Sequence, residues 1–191
     1  MAPKLILTGF MATGKSAVGP LVARRLGWQF VDSDAEIVAR AGKPISAIFS
    51  ERGEAAFRAL EREAIAGIAA DRRRCAQCHA PRPAVISTGG GALVDESNCA
   101  ALSRIGVIIC LSASPEVIAA RVGASAVSRP KLAESAKPLR ERIRELMTER
   151  AGAYARADAL VDTSDLTVDQ VVDRVIETFA EKGASRCRPS A

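Results

Sequence analysis

Aromatic residues make up only 4% of the 191-residue chain, with one Trp and one Tyr. A platform for single-stranded nucleic acid stacks bases on such rings, so that class of partner is not expected. Long apolar runs are missing too. None approaches the roughly 20 residues of a bilayer span, and Met1-Ala2-Pro3-Lys4 passes at once into Leu5-Ile6-Leu7, too short a lead for a secretory signal. The five cysteines are an odd number, and with no export signal they point to reduced thiols and a cytoplasmic location. Histidine occurs once. What the chain has in quantity is arginine: 27 cationic against 22 acidic residues leave a net charge of +5, and 21 of the 27 cations are Arg. The guanidinium fork matches planar anions, so small phosphate or carboxylate ligands are the expected partners. With 48% hydrophobic residues in a length that suits one domain, a sizeable core needs neither disulfide nor metal.

Short apolar runs alternate with amphipathic stretches, the pattern of an α/β fold around a parallel sheet. Strands are predicted over 5–8, 29–31, 84–87, 107–111 and 159–161. Helices are predicted over 15–26, 33–41, 45–49, 54–69, 137–155 and 168–179, with a further one opening at Pro115 and Ser33 as the cap of the second. Residues 72–83 are basic and Pro-containing and read as a surface insertion; 123–136 read as a mobile lid and 183–191 as a flexible tail, leaving 1–182 as one domain.

Gly9-Phe10-Met11-Ala12-Thr13-Gly14-Lys15-Ser16 fits G-x-x-x-x-G-K-[ST] in full, between an apolar strand and an amphipathic helix. Its glycines let the backbone turn successive N–H groups onto phosphate oxygens, the helix adds its positive end, Lys15 a point charge and Ser16 a hydroxyl for Mg²⁺. Asp32 and Asp34 follow the second strand, at the sheet edge where ligands of parallel sheets gather. One suits magnesium and the other the proton of an attacking hydroxyl; Ser33 and Asp34 equally suit a plain helix start. Gly89-Gly90-Gly91 follows the third strand at the same edge, either as a simple turn or to admit close approach of backbone N–H groups to a ligand.

Together with Gly53-Glu54-Ala55-Ala56-Phe57-Arg58-x-x-Glu61, Arg129-Pro130 and Glu149-Arg150-x-x-x-Tyr154, these blocks occur in an order that resembles the shikimate kinase family over about residues 1–180. The resemblance implies a three-layer α/β/α P-loop nucleoside-kinase-like fold with a five-stranded parallel sheet. It implies transfer of the γ-phosphoryl of ATP, with Mg²⁺, to the 3-hydroxyl of shikimate by a monomer. Within it Asp34 resembles the base, assisted by Lys15 and Arg129. Ala12, Thr13, Gly14, Lys15, Ser16, Ala17, Arg121 and Arg129 fall at ATP-binding positions. Asp34, Arg58, Gly89, Gly90, Gly91 and Arg150 fall at acceptor positions, with Arg58 and Arg150 on the carboxylate and the Gly90 N–H on the substrate. Ser16 and Asp32 fall at metal positions, and Arg121 where a side chain lies against adenine.

On the residues alone, Arg58 and Arg150 also read as members of surface ion pairs and Arg129 as a plain loop residue. The two arginines suit any small carboxylate, so a kinase of another hydroxy acid such as gluconate, or a silent nucleotide-binding module, stays open. Three features depart from the family pattern: Ala17 where Thr is usual, Lys131 after Pro130, and the insertion. That insertion contains Cys75-Ala76-Gln77-Cys78-His79, which matches a covalent haem signature without the export it needs. A four-ligand zinc site would need a second cysteine pair, and Cys99 and Cys110 stand singly. An adventitious metal site or an inert loop remain as readings of the segment.

Overall fold

The computed structural model describes residues 4–70, 82–122 and 138–186. The lid at 123–136 with Arg129, the Cys75–His79 segment and residues 187–191 lie outside the described residues. Five strands, β1 (Lys4–Gly9), β2 (Gln29–Asp32), β3 (Ala84–Ser87), β4 (Val107–Ser112) and β5 (Ala159–Asp162), form one sheet in the order β2-β3-β1-β4-β5. Every pairing is parallel, with Leu5 opposite Val85 on one side and Val107 on the other.

Seven α-helices accompany them among the described residues: α1 (Lys15–Leu26), α2 (Ser33–Ala41), α3 (Ile45–Ala70), α4 (Glu96–Ile105), α5 (Pro115–Val122), α6 (Leu139–Tyr154) and α7 (Val168–Arg186). Side-chain alternation along β1 shows why the helices take both faces. Leu5 and Leu7 pack with Val18 and Val22 of α1 and Val171, Val172 and Val175 of α7. Ile6 points the other way, to Ile65 and Ile68 of α3, Leu102 and Ile105 of α4 and Ala153 of α6. Each Val, Leu or Ile side chain taken fully out of water here contributes roughly 1.5–3 kcal/mol. The central strands are covered on both sides, so they read as continuous apolar runs.

The elements differ from expectation in four places. Helix α4 and the 3-10 turn Ala92–Val94 before it were not anticipated. Asp95 starts α4 by accepting the N–H groups of Ser97 and Asn98. Helix α3 contains the two expected stretches, joined across Gly53, whose φ of 74° and ψ of 177° break the helical path. Helix α7 runs to Arg186, four residues into the expected tail. The cap of α2 is Asp32, not Ser33: the Asp34 N–H donates to Asp32 Oδ1 at 2.9 Å, while Ser33 Oγ accepts the Gly89 N–H at 3.2 Å. The Asp32 carboxylate reaches forward to the first turn, which frees the Ser33 hydroxyl to tie α2 to the glycine run.

Candidate active site

The carboxyl ends of β1, β2 and β3 bring the phosphate loop, the Asp pair and the glycine run to one edge. Between them lies a cleft of about 320 Å³, lined by Lys15, Ser16, Asp32, Asp34, Arg58, Glu61, Gly89, Gly90, Gly91 and Arg150. A larger cleft of about 550 Å³ opens at the opposite ends of the strands, around Lys4, Gln29, Arg40 and Arg82. It has neither phosphate loop nor an unpartnered buried carboxylate. Size alone would choose the wrong one.

The phosphate loop is held by its own atoms. Lys15 is buried, and its Nζ donates to the carbonyls of Gly9 (2.7 Å) and Phe10 (2.8 Å). Thr13 Oγ1 donates to Phe10 O at 2.8 Å, and Thr163 Oγ1 donates to Thr13 O at 3.2 Å. Ala12 is at φ 60° and Gly14 at φ 102°. Gly14 starts α1 without a side-chain cap, which leaves the helix's first amides to an anion. Ala17 is the exception, since its N–H already donates to Gly14 O at 3.0 Å. Arg121 sits on the outer flank of the loop, not in the cleft. It donates to Ala12 O (3.4 Å) and to the Thr163 hydroxyl (3.0 Å) and carbonyl (2.8 Å).

The acceptor side is built from α2, α3 and α6. Asp34 and Glu61 each present a buried carboxylate oxygen with no hydrogen-bond partner. A Cβ placed on Gly89 would lie 2.9 Å from Asp34 Oδ1 and 3.0 Å from Glu61 Oε1, so the backbone passes between them only as glycine. Burial, with the negative charges of Asp32 and Glu61, pushes the Asp34 carboxyl from its ordinary 3.8 up to about 6, against the pull of Lys15 and Arg58. Burial likewise raises Glu61, with Arg58 pulling it down.

Arg58 donates to Glu61 at 2.7 Å and to Glu54 at 3.2 Å. The expected ion pair is therefore present, but with its charge on the cleft wall: a Cβ on Gly91 would lie 2.7 Å from Arg58 Nη2. Arg150, 8% exposed, lies with its guanidinium 5.5 Å from the centre of the Phe10 ring and donates to Gly90 O at 3.1 Å. Two groups went unassigned in the sequence: Glu61, whose block was visible, and Tyr154, whose hydroxyl donates to Gly90 O at 2.6 Å.

The shikimate kinase family model matches residues 11–180. A shikimate kinase of Desulforudis audaxviator is 47% identical over 159 residues, spanning 83% of this chain and 77% of that protein. One of Geobacter sulfurreducens is 44% identical over 84% of this chain and 81% of that protein. The chain belongs to the shikimate kinase family. Its fold agrees with that of shikimate kinase from Acinetobacter baumannii in complex with shikimate, at a TM-score of 0.83 and 26% identity over 95% of both chains. A gluconokinase from Sinorhizobium meliloti, at a TM-score of 0.55 and 16% identity over 97% of this chain and 98% of that one, shares the fold alone. The three-layer arrangement with a five-stranded parallel sheet is thus the architecture of shikimate kinases.

Hard oxygen donors are the right type for magnesium, and Ser16 and Asp32 offer them on one wall of the cleft. Among the described residues no group of three or more His, Cys, Asp or Glu forms a metal cage. Magnesium bound mainly through nucleotide phosphates asks for none. No helix of the described residues is long and apolar enough to cross a membrane.

Proposed function

We propose that this chain phosphorylates shikimate on its 3-hydroxyl with the γ-phosphoryl of ATP, releasing ADP. One observation carries the assignment: a phosphate loop with Lys15 and Ser16 shares a single cleft with an unpartnered carboxylate, Asp34, and two guanidinium groups, Arg58 and Arg150. A kinase of a small hydroxy acid uses all of these at once, and a silent nucleotide-binding module needs only the first. Lys15 and the start of α1 hold the phosphates. On nucleotide binding the Lys15 ammonium exchanges its carbonyl partners for phosphate oxygens, near where charge grows in the transition state. Arg58 and Arg150 grip the substrate carboxylate, and the glycine run approaches its ring. This places the hydroxyl beside Asp34, whose free Oδ1 takes the proton as the oxygen attacks phosphorus. An Asp34 carboxyl raised to about 6 is still ionised at neutral pH, and it is a stronger base than an ordinary aspartate.

Ser16 and Asp32 would hold Mg²⁺, which neutralises charge on the phosphates when bound. Residues 1–182 would form one kinase unit, acting as a monomer with no nucleic-acid or membrane partner. Arg129 is assigned to the phosphates, and Arg121 to the adenine side, on the family resemblance. A cytoplasmic location fits the free, buried Cys99 and Cys110. The test is ADP release with shikimate, with gluconate and with no acceptor, with and without Mg²⁺. Turnover with shikimate only, abolished by removing the metal, is expected. Equal rates with gluconate, or none with shikimate, would overturn the assignment.

A further inference from the structure

Tyr154 is the only tyrosine of the chain, and the reaction outlined above gives it no task. Its hydroxyl is 2.6 Å from Gly90 O, the same carbonyl that accepts from Arg150 at 3.1 Å. That carbonyl shares a trans peptide unit with the Gly91 N–H. In a trans unit the two groups point in opposite directions. Drawing the carbonyl toward α6 therefore turns the Gly91 amide away from α6. Among the described residues this amide has no acceptor, and Arg58 packs against the α-carbon beside it.

The unit lies between two glycines, where rotation of a peptide plane meets little steric resistance. Arg150 is a poor anchor by itself, because its donors are also wanted by the substrate. The phenol also accepts from the Arg150 guanidinium, while its own O–H, a donor that the substrate carboxylate does not claim, goes to Gly90 O. Burial pushes the phenol up to about 12, so it stays a protonated donor at every working pH.

We infer that Tyr154 is a positioning residue for the acceptor: its hydroxyl locks the Gly90–Gly91 peptide plane, keeping the Gly91 amide turned away from α6 and holding the Arg150 guanidinium where it meets the substrate carboxylate. The inference rests on the shikimate kinase reading of the same site. It is tested with Tyr154→Phe, which removes only the hydroxyl, and Tyr154→Leu, which also removes the ring. Initial rates are taken against shikimate at saturating MgATP and against ATP at saturating shikimate, beside thermal unfolding of each variant.

The phenylalanine variant should raise the KM for shikimate about three- to tenfold, the span of one neutral hydrogen bond. The KM for ATP and kcat should stay within about twofold, and the unfolding midpoint should fall by no more than about 4 °C. Three results would overturn the inference. One is Tyr154→Phe kinetics equal to wild type, with a loss only in Tyr154→Leu. Another is a lower midpoint with both KM values unchanged. The third is an equal rise in both KM values. Wild-type protein that turns over no shikimate would overturn the functional assignment and this inference together.

Discussion

The two halves of the cleft are finished to different degrees. On the phosphate side the polar side chains are already paired, Lys15 with two carbonyls, Thr13 with Phe10, Thr163 with Thr13, and Arg121 with Ala12 and Thr163, and the first amides of α1 are what stays open to an anion. On the acceptor side Asp34 Oδ1 and Glu61 Oε1 are buried without partners. Asp32, Asp34 and Glu61 share that region with the two paired guanidiniums of Arg58 and Arg150. An unpaired buried acceptor costs about 1–3 kcal/mol, more when charged. The backbone of the phosphate loop is therefore set before its ligand comes, with only the Lys15 ammonium left to exchange partners, whereas the acceptor pocket holds destabilising charge that a hydroxyl and its proton relieve. Binding a polyphosphate asks for preset geometry. Moving a proton asks for a base that its surroundings do not satisfy.

Removing the unsatisfied carboxylate should produce the largest effect. Asp34→Asn keeps the shape but not the base, and kcat should fall by roughly 10²–10⁴-fold, with the KM for ATP unchanged. A fall of less than tenfold would mean that positioning alone carries the reaction. Next comes the fork. Arg58→Lys keeps the charge but loses the bidentate grip, so the KM for shikimate should rise by about 10–100-fold, the worth of a charge-assisted hydrogen bond. An equal rise in the KM for ATP would erase the division between the two halves. A smaller effect is expected where the halves meet. Asp32→Asn should raise the magnesium needed for half activity by about tenfold, and excess magnesium should restore most of the rate. Magnesium should rescue nothing in Asp34→Asn, and matching titrations for the two variants would show their roles wrongly divided.

The phosphate side was also the more legible half in the sequence. Its chemistry is local: eight consecutive residues and the helix after them contain the whole argument, and the structure places them as the spacing predicts. The acceptor side is assembled across the chain. That Asp34 and Arg58 meet could be proposed from a family resemblance, but the pairing of Tyr154 with Gly90 spans 64 positions and leaves no local trace. Glu61 stood in view three residues after Arg58, where helical spacing alone reads as an exposed ion pair; its burial comes from α3 packing under the glycine run. Helix α4 carries a weak signal in the sequence, because its apolar face has only Cys99, Leu102 and Ile105 among small and polar residues. Its clearest signal was the Asp95 cap. Asp32 and Ser33 are equally good cap residues in the sequence, and only the approach of Gly89 to Ser33 decides between them.

The contrast between the halves is tested most directly by stability against pH in wild type and Asp34→Asn. With its carboxyl raised from 3.8 to about 6, native Asp34 holds a proton more tightly than it does in the unfolded chain. Stability is then unaffected below pH 4, is lost as pH rises through 4 to 6, and stays lower above that. The shift corresponds to on the order of 2–3 kcal/mol at most. The asparagine variant has no such charge. By chemical denaturation it should match wild type near pH 4 and exceed it by about 1–3 kcal/mol at pH 8. A variant equally stable or less stable at pH 8 would contradict the account, because Asp34 would then be a satisfied group and not one waiting for its substrate.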